Sequence, residues 1–453
     1  VIFKSLCRDA EIGANSYLLE TPSARVVLDA GMHPEHEGAD AIPHFERVPS
    51  GTADAVVVSH AHLDHIGTLP VLMADQPQAR VFLTEETADL GLALLHNSVN
   101  VMQSKRVELG ITAYPLFEHH ELDQLKASFE RRGIERPFDL DAAGTIRATF
   151  HDAGHILGSV GVTLESQGKR VFYTGDVNFE DATVQQGALF PEQAVDSMIV
   201  ETTRGAFVRR PDYARRSEED ALAEAIAGVL ARKGSVLIPV FAIGKTQELL
   251  AMLHRFRRQH LIPRKAPIYI GGLSTKMTHI YDNYSEVSRR QLPGFDFLTQ
   301  MELETGDRRR RGPIPFVNGS IYVLSSGMMT EKTASNTFAR LGVLENKRHG
   351  LFFVGFTAPG TPGHRIRAAG PGDPVVLDAA YPAVPLRCEV RSFDFSGHAT
   401  RETIADYVCK VRPRQVLLVH GDADAIDWFR AELGTRLPDS RIVVPLPGEV
   451  HVL

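Results

Sequence analysis

Over the first 200 positions the apolar residues come in short, β-branched runs, each cut off by a turn or a polar side chain. "SARVVLDAG" (23–31), "ADAVVVSHAH" (53–62), "ARVFLT" (79–84), "TIRATFHDAGH" (145–155), "GVTLES" (161–166), "KRVFYTGD" (169–176) and "DSMIVET" (196–202) all predict strands. Several stop at a His, Asp or Glu, and in layered α/β proteins the strand ends are where ligand-binding side chains collect. After Glu201 the texture changes to strand–helix alternation. "SEEDALAEAIAGVLARKG" (217–234) has an acidic start, helical apolar spacing and a terminal Gly, which predict a capped helix. "SVLIPVF" (235–241) predicts a buried strand and "GKTQELLAMLHRFRRQH" (244–260) an amphipathic helix. "APIYIGG" (266–272), "SIYVLSS" (320–326) and "HGLFFVGF" (349–356) complete a parallel sheet. From about 385 the first texture resumes, in "RCEVRSFDFSGHA", "RQVLLVHGD" and "SRIVVPLPGEVHVL". Residues 357–374, rich in Gly and Pro, are linker-like, and there is no internal repeat.

A chain of 453 residues exceeds what one core usually serves, so two domains are expected, in series or one inserted in the other. A hydrophobic fraction of 43% and a charged fraction of 23% are those of an ordinary globular protein. No apolar run is long enough to cross a bilayer, and the first twenty residues lack the block pattern of a signal peptide. Cys7, Cys388 and Cys409 are odd in number and have no CxxC spacing, which argues against disulfides or a thiolate metal site. The expectation is a cytoplasmic protein without a membrane partner. The net charge of −7 does not by itself suggest a nucleic-acid binder, and the basic clusters at 207–216, 255–260 and 307–313 read as solvated surface.

The candidate chemistry is concentrated in "SHAHLDHIG" (59–67). In an extended segment residues i and i+2 point the same way, so His60 and His62 can reach one ion. Asp64 and His65, after a turn, can face a second. Imidazole and carboxylate are ligand types that suit zinc, and also iron or manganese. His119, His120, His151, His254, His260 and His279 fit no such pattern and read as surface or core residues. "GKT" at 244–246 looks like the end of a Walker A loop, but Pro239 stands where its first Gly belongs, so ATP binding is not expected.

"HAHLDH" (60–65) resembles the HxHxDH signature of the metallo-β-lactamase superfamily. On that resemblance His155 in "AGHILGS" matches the third motif, Asp176 in "VFYTGD" the fourth and His420 in "VLLVHGD" the distal histidine. Asp29 in "VVLDAG" matches the first, which supports the ligand loop. The resemblance implies His60, His62 and His155 on one metal, Asp64, His65 and His420 on the other, and Asp176 bridging them beside a water or hydroxide. Two zinc ions are implied, with manganese as the alternative.

"VETTRG" (200–205), "FDFSGHA" (393–399) and "LVHGD" (418–422) resemble motifs A, B and C of the β-CASP nucleases, a branch of that superfamily acting on nucleic acids. "PVFAIGKTQELL" (239–250) is similar to a strand–helix segment of the same branch, with Lys245 for its usual Arg. The implied fold is a metallo-β-lactamase αββα sandwich in residues 1–205 and 385–453, with an inserted α/β β-CASP domain in 206–384. The implied function is metal-dependent hydrolysis of single-stranded RNA as an endoribonuclease, with 5′–3′ exoribonuclease action as a further activity. His398 would stabilise or protonate the leaving oxygen, Glu201 would orient it, and Asp64 completes the catalytic set. A His at motif C is the form associated with RNA-acting members.

Two segments depart from the pattern. "LSSGMMTEKTAS" (324–335) has Glu331–Lys332 where Gly-Gly is usual, and "GFTAPGTPGHR" (355–365) has Phe356 for Tyr and His364 at an Arg position. Ser325, Ser326, Thr361 and Arg365 are implied as phosphate contacts. These departures keep open a DNA substrate, or a small ester, lactone or lactam. A scaffold subunit without catalysis is the third reading, but such relatives lose metal ligands and this chain has all seven. A homodimer is left open.

Overall fold

Val26 and Leu28 of the strand Arg25–Leu28 face one side of their sheet and Val27 the other, and all three are fully buried. Both faces of that sheet are therefore covered, which fits its short apolar runs. In the computed structural model, which describes residues 1–306 and 314–453, the chain forms two compact units. The basic stretch 307–313 lies outside the described residues. The first unit comprises Val1–Asp181, Gln186–Arg209 and His398–Leu453, and the second Ala182–Gln185 and Arg210–Gly397.

The first unit contains two seven-stranded sheets. One runs in the order Val450–Val452, Ile2–Ser5, Tyr17–Glu20, Arg25–Leu28, Ala55–Val57, Arg80–Leu83, Phe129–Arg131. The other runs Arg441–Val443, Gln415–Val419, Ser197–Glu201, Lys169–Tyr173, Val160–Ser166, Arg147–Asp152, Phe138–Asp139. Phe3, Val26, Leu28, Val57 and Phe82 of the first sheet pack with Phe150, Val162, Tyr173, Ile199 and Leu417 of the second in one cluster. The alternate residues face outward onto helices. Val27, Val56 and Val81 meet Leu95, Val99 and Met102 of the helix Glu85–Leu109. Met198, Val200 and Leu418 meet Ile404 and Val408 of the helix Arg401–Val411 and Phe429 of the helix Ala423–Arg436. The period-2 pattern thus builds the four layers α/β/β/α that the resemblance implies.

Helix ends are set by local chemistry. Thr84 Oγ1 accepts the amide N–H of Thr87 to cap Glu85–Leu109, and Gly110, at φ 67°, closes it in the left-handed region. Thr400 caps Arg401–Val411 in the same way through Thr403.

The second unit is built on a six-stranded sheet in the order Leu303–Gly306, Ile268–Gly271, Ile321–Leu324, Val236–Pro239, Gly350–Phe353, Glu389–Ser392, every pair parallel. The helices Arg215–Ala231, Lys245–Arg258 and Leu273–Asn283 belong to it. The predicted helices at 217–234 and 244–260 and the predicted parallel sheet are all present, with ends within a few residues. Glu389–Ser392, in the stretch read as a return to the first texture, is the sixth strand. The linker-like stretch holds the helix Pro362–Ala368. The side chain of Lys245 donates to the carbonyl of Phe395 and so pins that loop.

Candidate metal centre

Asp29 is the first residue beyond the strand Arg25–Leu28, held at φ 58°. Its fully buried carboxylate gathers four donors. Oδ1 accepts the Ser59 N–H at 2.7 Å. Oδ2 accepts the Ser59 hydroxyl at 2.8 Å, the Tyr173 hydroxyl at 2.5 Å and His65 Nδ1–H at 2.7 Å. Because the Ser59 hydroxyl spends its proton on Asp29, its oxygen is free to accept His60 Nδ1–H at 3.0 Å. In the neutral form both imidazoles thereby keep their lone pair at Nε2. Partners of this kind orient metal-binding histidines. Gly31 lets this corner close, since a Cβ there would stand 1.8 Å from the Asp64 carbonyl oxygen.

His60 Nε2 lies 3.2 Å from His62 Nδ1, and His155 Nε2 lies 3.1 Å from the same atom. Asp176 Oδ2 is 3.5 Å from His60 Nε2 and 3.7 Å from His155 Nε2. Beside this first group, Asp64 Oδ2 lies 3.2 Å from His420 Nε2, which is 3.3 Å from His65 Nε2. Asp176 Oδ1 is 3.3 Å from His65 Nε2, so the two oxygens of one carboxylate face the two groups. His420, just past the strand Gln415–Val419 and at φ 51°, gives its Nδ1–H to Thr203 Oγ1 at 2.8 Å, leaving Nε2 as the lone pair.

Electrostatics divide the cluster. Burial, reinforced by the neighbouring His65, pushes His60 well below the ordinary histidine value, which keeps it a neutral donor. Burial lowers His62 likewise. For His65 and His420 burial acts the same way, but Asp176 and Asp64 outweigh it and draw both toward the charged form. Burial also opposes the charge on Asp176, yet His420, His65 and His60 hold it well below the usual carboxylate range. The carboxylates thus demand positive charge between the rings, which a proton or a cation can supply.

Asp176 Oδ1 is buried and accepts no hydrogen bond among the described residues. Ligand atoms of His60, His62, His155 and Asp176 lie within 4.8 Å of one another, as do those of Asp64, His65 and His420. This orphaned oxygen, the converging lone pairs and the nitrogen–oxygen donor set fit divalent metal.

Glu201 ends the strand Ser197–Glu201, 1% exposed, and its Oε1 accepts the Val177 N–H at 2.7 Å. His398 Nδ1 sits 3.2 Å from that oxygen and 3.9 Å from Asp176 Oδ2. Burial disfavours a charged His398, but the Glu201 carboxylate outweighs it and raises the ring above its ordinary value. The sequence-derived residues Asp29, His60, His62, Asp64, His65, His155, Asp176, Glu201, His398 and His420 all meet in the first unit.

Ser325, Ser326, Thr361 and Arg365 belong to the second unit. Ser326 Oγ accepts the Thr330 N–H at 3.0 Å. Thr361 Oγ1 donates to Ala358 O at 2.7 Å and accepts the His364 N–H, capping its own helix. Arg365 donates to the carbonyls of Gly360 and Val376, at 2.8 and 3.1 Å. Glu331 Oε1 accepts the Ala379 N–H at 3.1 Å.

Four supporting residues escape sequence reasoning: Asn15, Ser59, Tyr173 and Thr203. Ser59, Tyr173 and Thr203 adjoin or sit within recognisable motifs, so their placement is a local signal. Asn15 carries none, yet its Nδ2 donates to the Asp64 carbonyl at 3.2 Å and lies 3.3 Å from His65 Nε2.

Three family models match: the Metallo-beta-lactamase superfamily over residues 10–226, the Beta-Casp domain over 246–366, and the Zn-dependent metallo-hydrolase RNA specificity domain over 383–445. The chain belongs to the metallo-β-lactamase superfamily and carries an inserted Beta-Casp domain. Among curated proteins it is similar to cleavage and polyadenylation specificity factor subunit 3 of Dictyostelium discoideum, 28% identical over 96% of this chain and 55% of that protein. Endoribonuclease ysh-1 of Neurospora crassa is also 28% identical, over 96% of this chain and 53% of that protein. Transcription termination factor FttA of Pyrococcus abyssi is 30% identical over 91% of this chain and 65% of its own length. The chain thus spans about half the length of the first two relatives. A solved protein of unknown function from Enterococcus faecalis V583 shares the fold, with a TM-score of 0.59 at 14% identity, over 100% of this chain and 99% of that one.

Proposed function

We propose that this protein is a metal-dependent phosphodiesterase that hydrolyses single-stranded RNA, acting within the chain and also from a 5′ end. The observation that carries the reading is Asp176, whose two carboxylate oxygens face two separate groups of ligand atoms, with a carboxylate-paired His398 beside it. The name of one relative, an endoribonuclease, supplies the substrate class. The match to an RNA specificity domain at residues 383–445 agrees with it.

In this reading His60, His62 and His155 hold one ion, Asp64, His65 and His420 a second, and Asp176 both. Zinc suits the donors, with manganese the alternative. Two bound ions at such a site supply Lewis acidity and an activated water. The chain's own residues do the rest. Asp29 and Thr203 lock the ligand tautomers. Glu201 holds His398 by Nδ1, which leaves Nε2 to give a proton to the departing ribose oxygen. The sandwich is assigned to 1–205 and 385–453 and the insert to 206–384, and the compact units divide nearby, at Arg209 and Gly397. Among the described residues no helix is long and apolar enough to cross a membrane, and the three cysteines are free. A cytoplasmic location is proposed on that cysteine chemistry.

The test is product mapping on 5′-labelled single-stranded RNA and DNA, with zinc or manganese added, beside a chromogenic ester and lactam. RNA fragments in preference to DNA are expected. Turnover of the small substrate without action on RNA would overturn the proposal.

A further inference from the structure

We propose that Phe241 and Phe356, in the second unit, form a stacking platform for a base of the single-stranded RNA substrate. The proposal rests on the ribonuclease reading above and adds a substrate-binding site to it. Three adjacent parallel strands, Ile321–Leu324, Val236–Pro239 and Gly350–Phe353, end side by side. Ligands of open α/β sheets bind outside the carboxyl ends of the strands. Pro239 is in register with Leu324, and Val240 N–H donates to Leu324 O at 3.0 Å, so Phe241 falls level with Ser326.

Two glycines make room for the Phe241 ring. A Cβ on Gly327 would stand 3.1 Å from the ring's Cδ2 and 3.2 Å from its Cε2, and one on Gly355 4.0 Å from Cε2. The ring therefore lies against bare backbone, and Phe356 follows directly on Gly355. The Phe241 backbone is pinned, since the N–H and hydroxyl of Thr246 both donate to its carbonyl, at 3.1 and 2.8 Å. Phe241 is 37% exposed and Phe356 61%.

Other exposed rings are already engaged. Arg204 covers Phe207 at 4.3 Å, Arg340 covers Tyr381 at 3.5 Å, and Phe316 stacks on Tyr322 at 5.7 Å. Among the described residues no aromatic ring or guanidinium packs on Phe241 or Phe356. Such exposed rings at strand ends suit the flat face of a base. Every base has that face, so the platform gives grip without sequence preference.

The test mixes the full, zinc-loaded chain with a short single-stranded RNA carrying 2-aminopurine, whose fluorescence is quenched on stacking, in a stopped-flow instrument. Product gels are run on the same samples. Quenching within the binding phase is expected, lost in the Phe241→Leu, Phe356→Leu double variant with a rise in Kd of at least about tenfold. The Phe356→Tyr variant should retain both. Thermal melting checks that each variant is folded. Absence of quenching on the wild-type chain, or quenching and affinity unchanged in the double variant, would overturn the platform. Cleavage without quenching overturns the platform and spares the ribonuclease reading. Quenching that depends on both rings, with no cleavage, upholds the platform and rejects that reading.

Discussion

Asp29 holds the Ser59 hydroxyl and His65 Nδ1 with one oxygen, and through Ser59 it also fixes His60. Removing its charge in Asp29→Asn therefore loosens both ligand groups. We expect metal affinity to fall about 10- to 100-fold, the usual cost of losing such a partner, as read by competition with a chromogenic chelator. Thr203→Val, which removes the acceptor of His420 Nδ1–H, should act through the second group alone and cost less. At Gly31, where a Cβ would meet the Asp64 carbonyl at 1.8 Å and the Asn15 nitrogen at 2.6 Å, even alanine must push the ligand loop aside. Gly31→Ala is expected to lower both metal content and melting temperature. At this scale the candidate ligands are legible because HxHxDH is a contiguous motif and the other candidates lie at or just beyond recognisable strand ends. Asn15 was not, since what gives it meaning is a contact with a loop 49 residues away.

Among the elements, the legible ones are those with dry faces. The fully buried strands Val236–Pro239, Ile268–Gly271, Ile321–Leu324 and Gly350–Phe353 are continuous apolar runs, because helices and loops cover both sides. Glu389–Ser392 is a half-exposed edge strand with two charged residues, joined to the sheet through its backbone pairing with Gly350–Phe353, so its side chains do not announce it. The helix Lys245–Arg258 is tied down by a buried charge as well as by apolar packing. Glu248 pairs with Arg215 and accepts the N–H groups of Thr183 and Val184 at 2.6 and 2.9 Å. Glu248→Ala leaves those two amides without their acceptor and takes one carboxylate from Arg215, which keeps Glu219 at 3.3 Å, so it should cost about 1–3 kcal/mol in denaturant unfolding of this unit. Burial opposes the charge on Glu248, but Arg215 and Lys245 outweigh it and hold the carboxyl below its ordinary 4.5. The stabilisation is thus fully present above pH 4.5 and is lost as pH falls through the depressed folded value, so the wild-type advantage over Glu248→Gln should shrink in acid. In the first unit, Phe429→Ala should cost about 3–5 kcal/mol, since that ring is wholly buried beneath the second sheet.

At the scale of the whole chain, the first unit is a sandwich whose loops carry nearly all of the candidate chemistry, with candidate ligands drawn from residues 60 to 420. Binding that closes such a site stabilises the folded chain by mass action. At free zinc 100 times Kd the gain is about 2.7 kcal/mol, so chelation should lower the melting temperature and excess zinc restore it. The change of texture after Glu201 was legible because a helical period replaces a period of two. The point of return was less so, because the last strand of the inserted sheet is polar and lies next to the motif that carries His398. The proposed joint action of the two ligand groups and His398 on RNA has a direct readout. It is tested most directly by single-turnover cleavage of a 5′-labelled, unstructured RNA by the wild-type chain and by His398→Ala, with metal content measured on the same samples. Two equivalents of metal are expected in both proteins, with cleavage by the wild type at least about 100-fold faster than by the variant. Equal cleavage by the variant, or RNA cleavage by wild-type protein holding no metal, would contradict it.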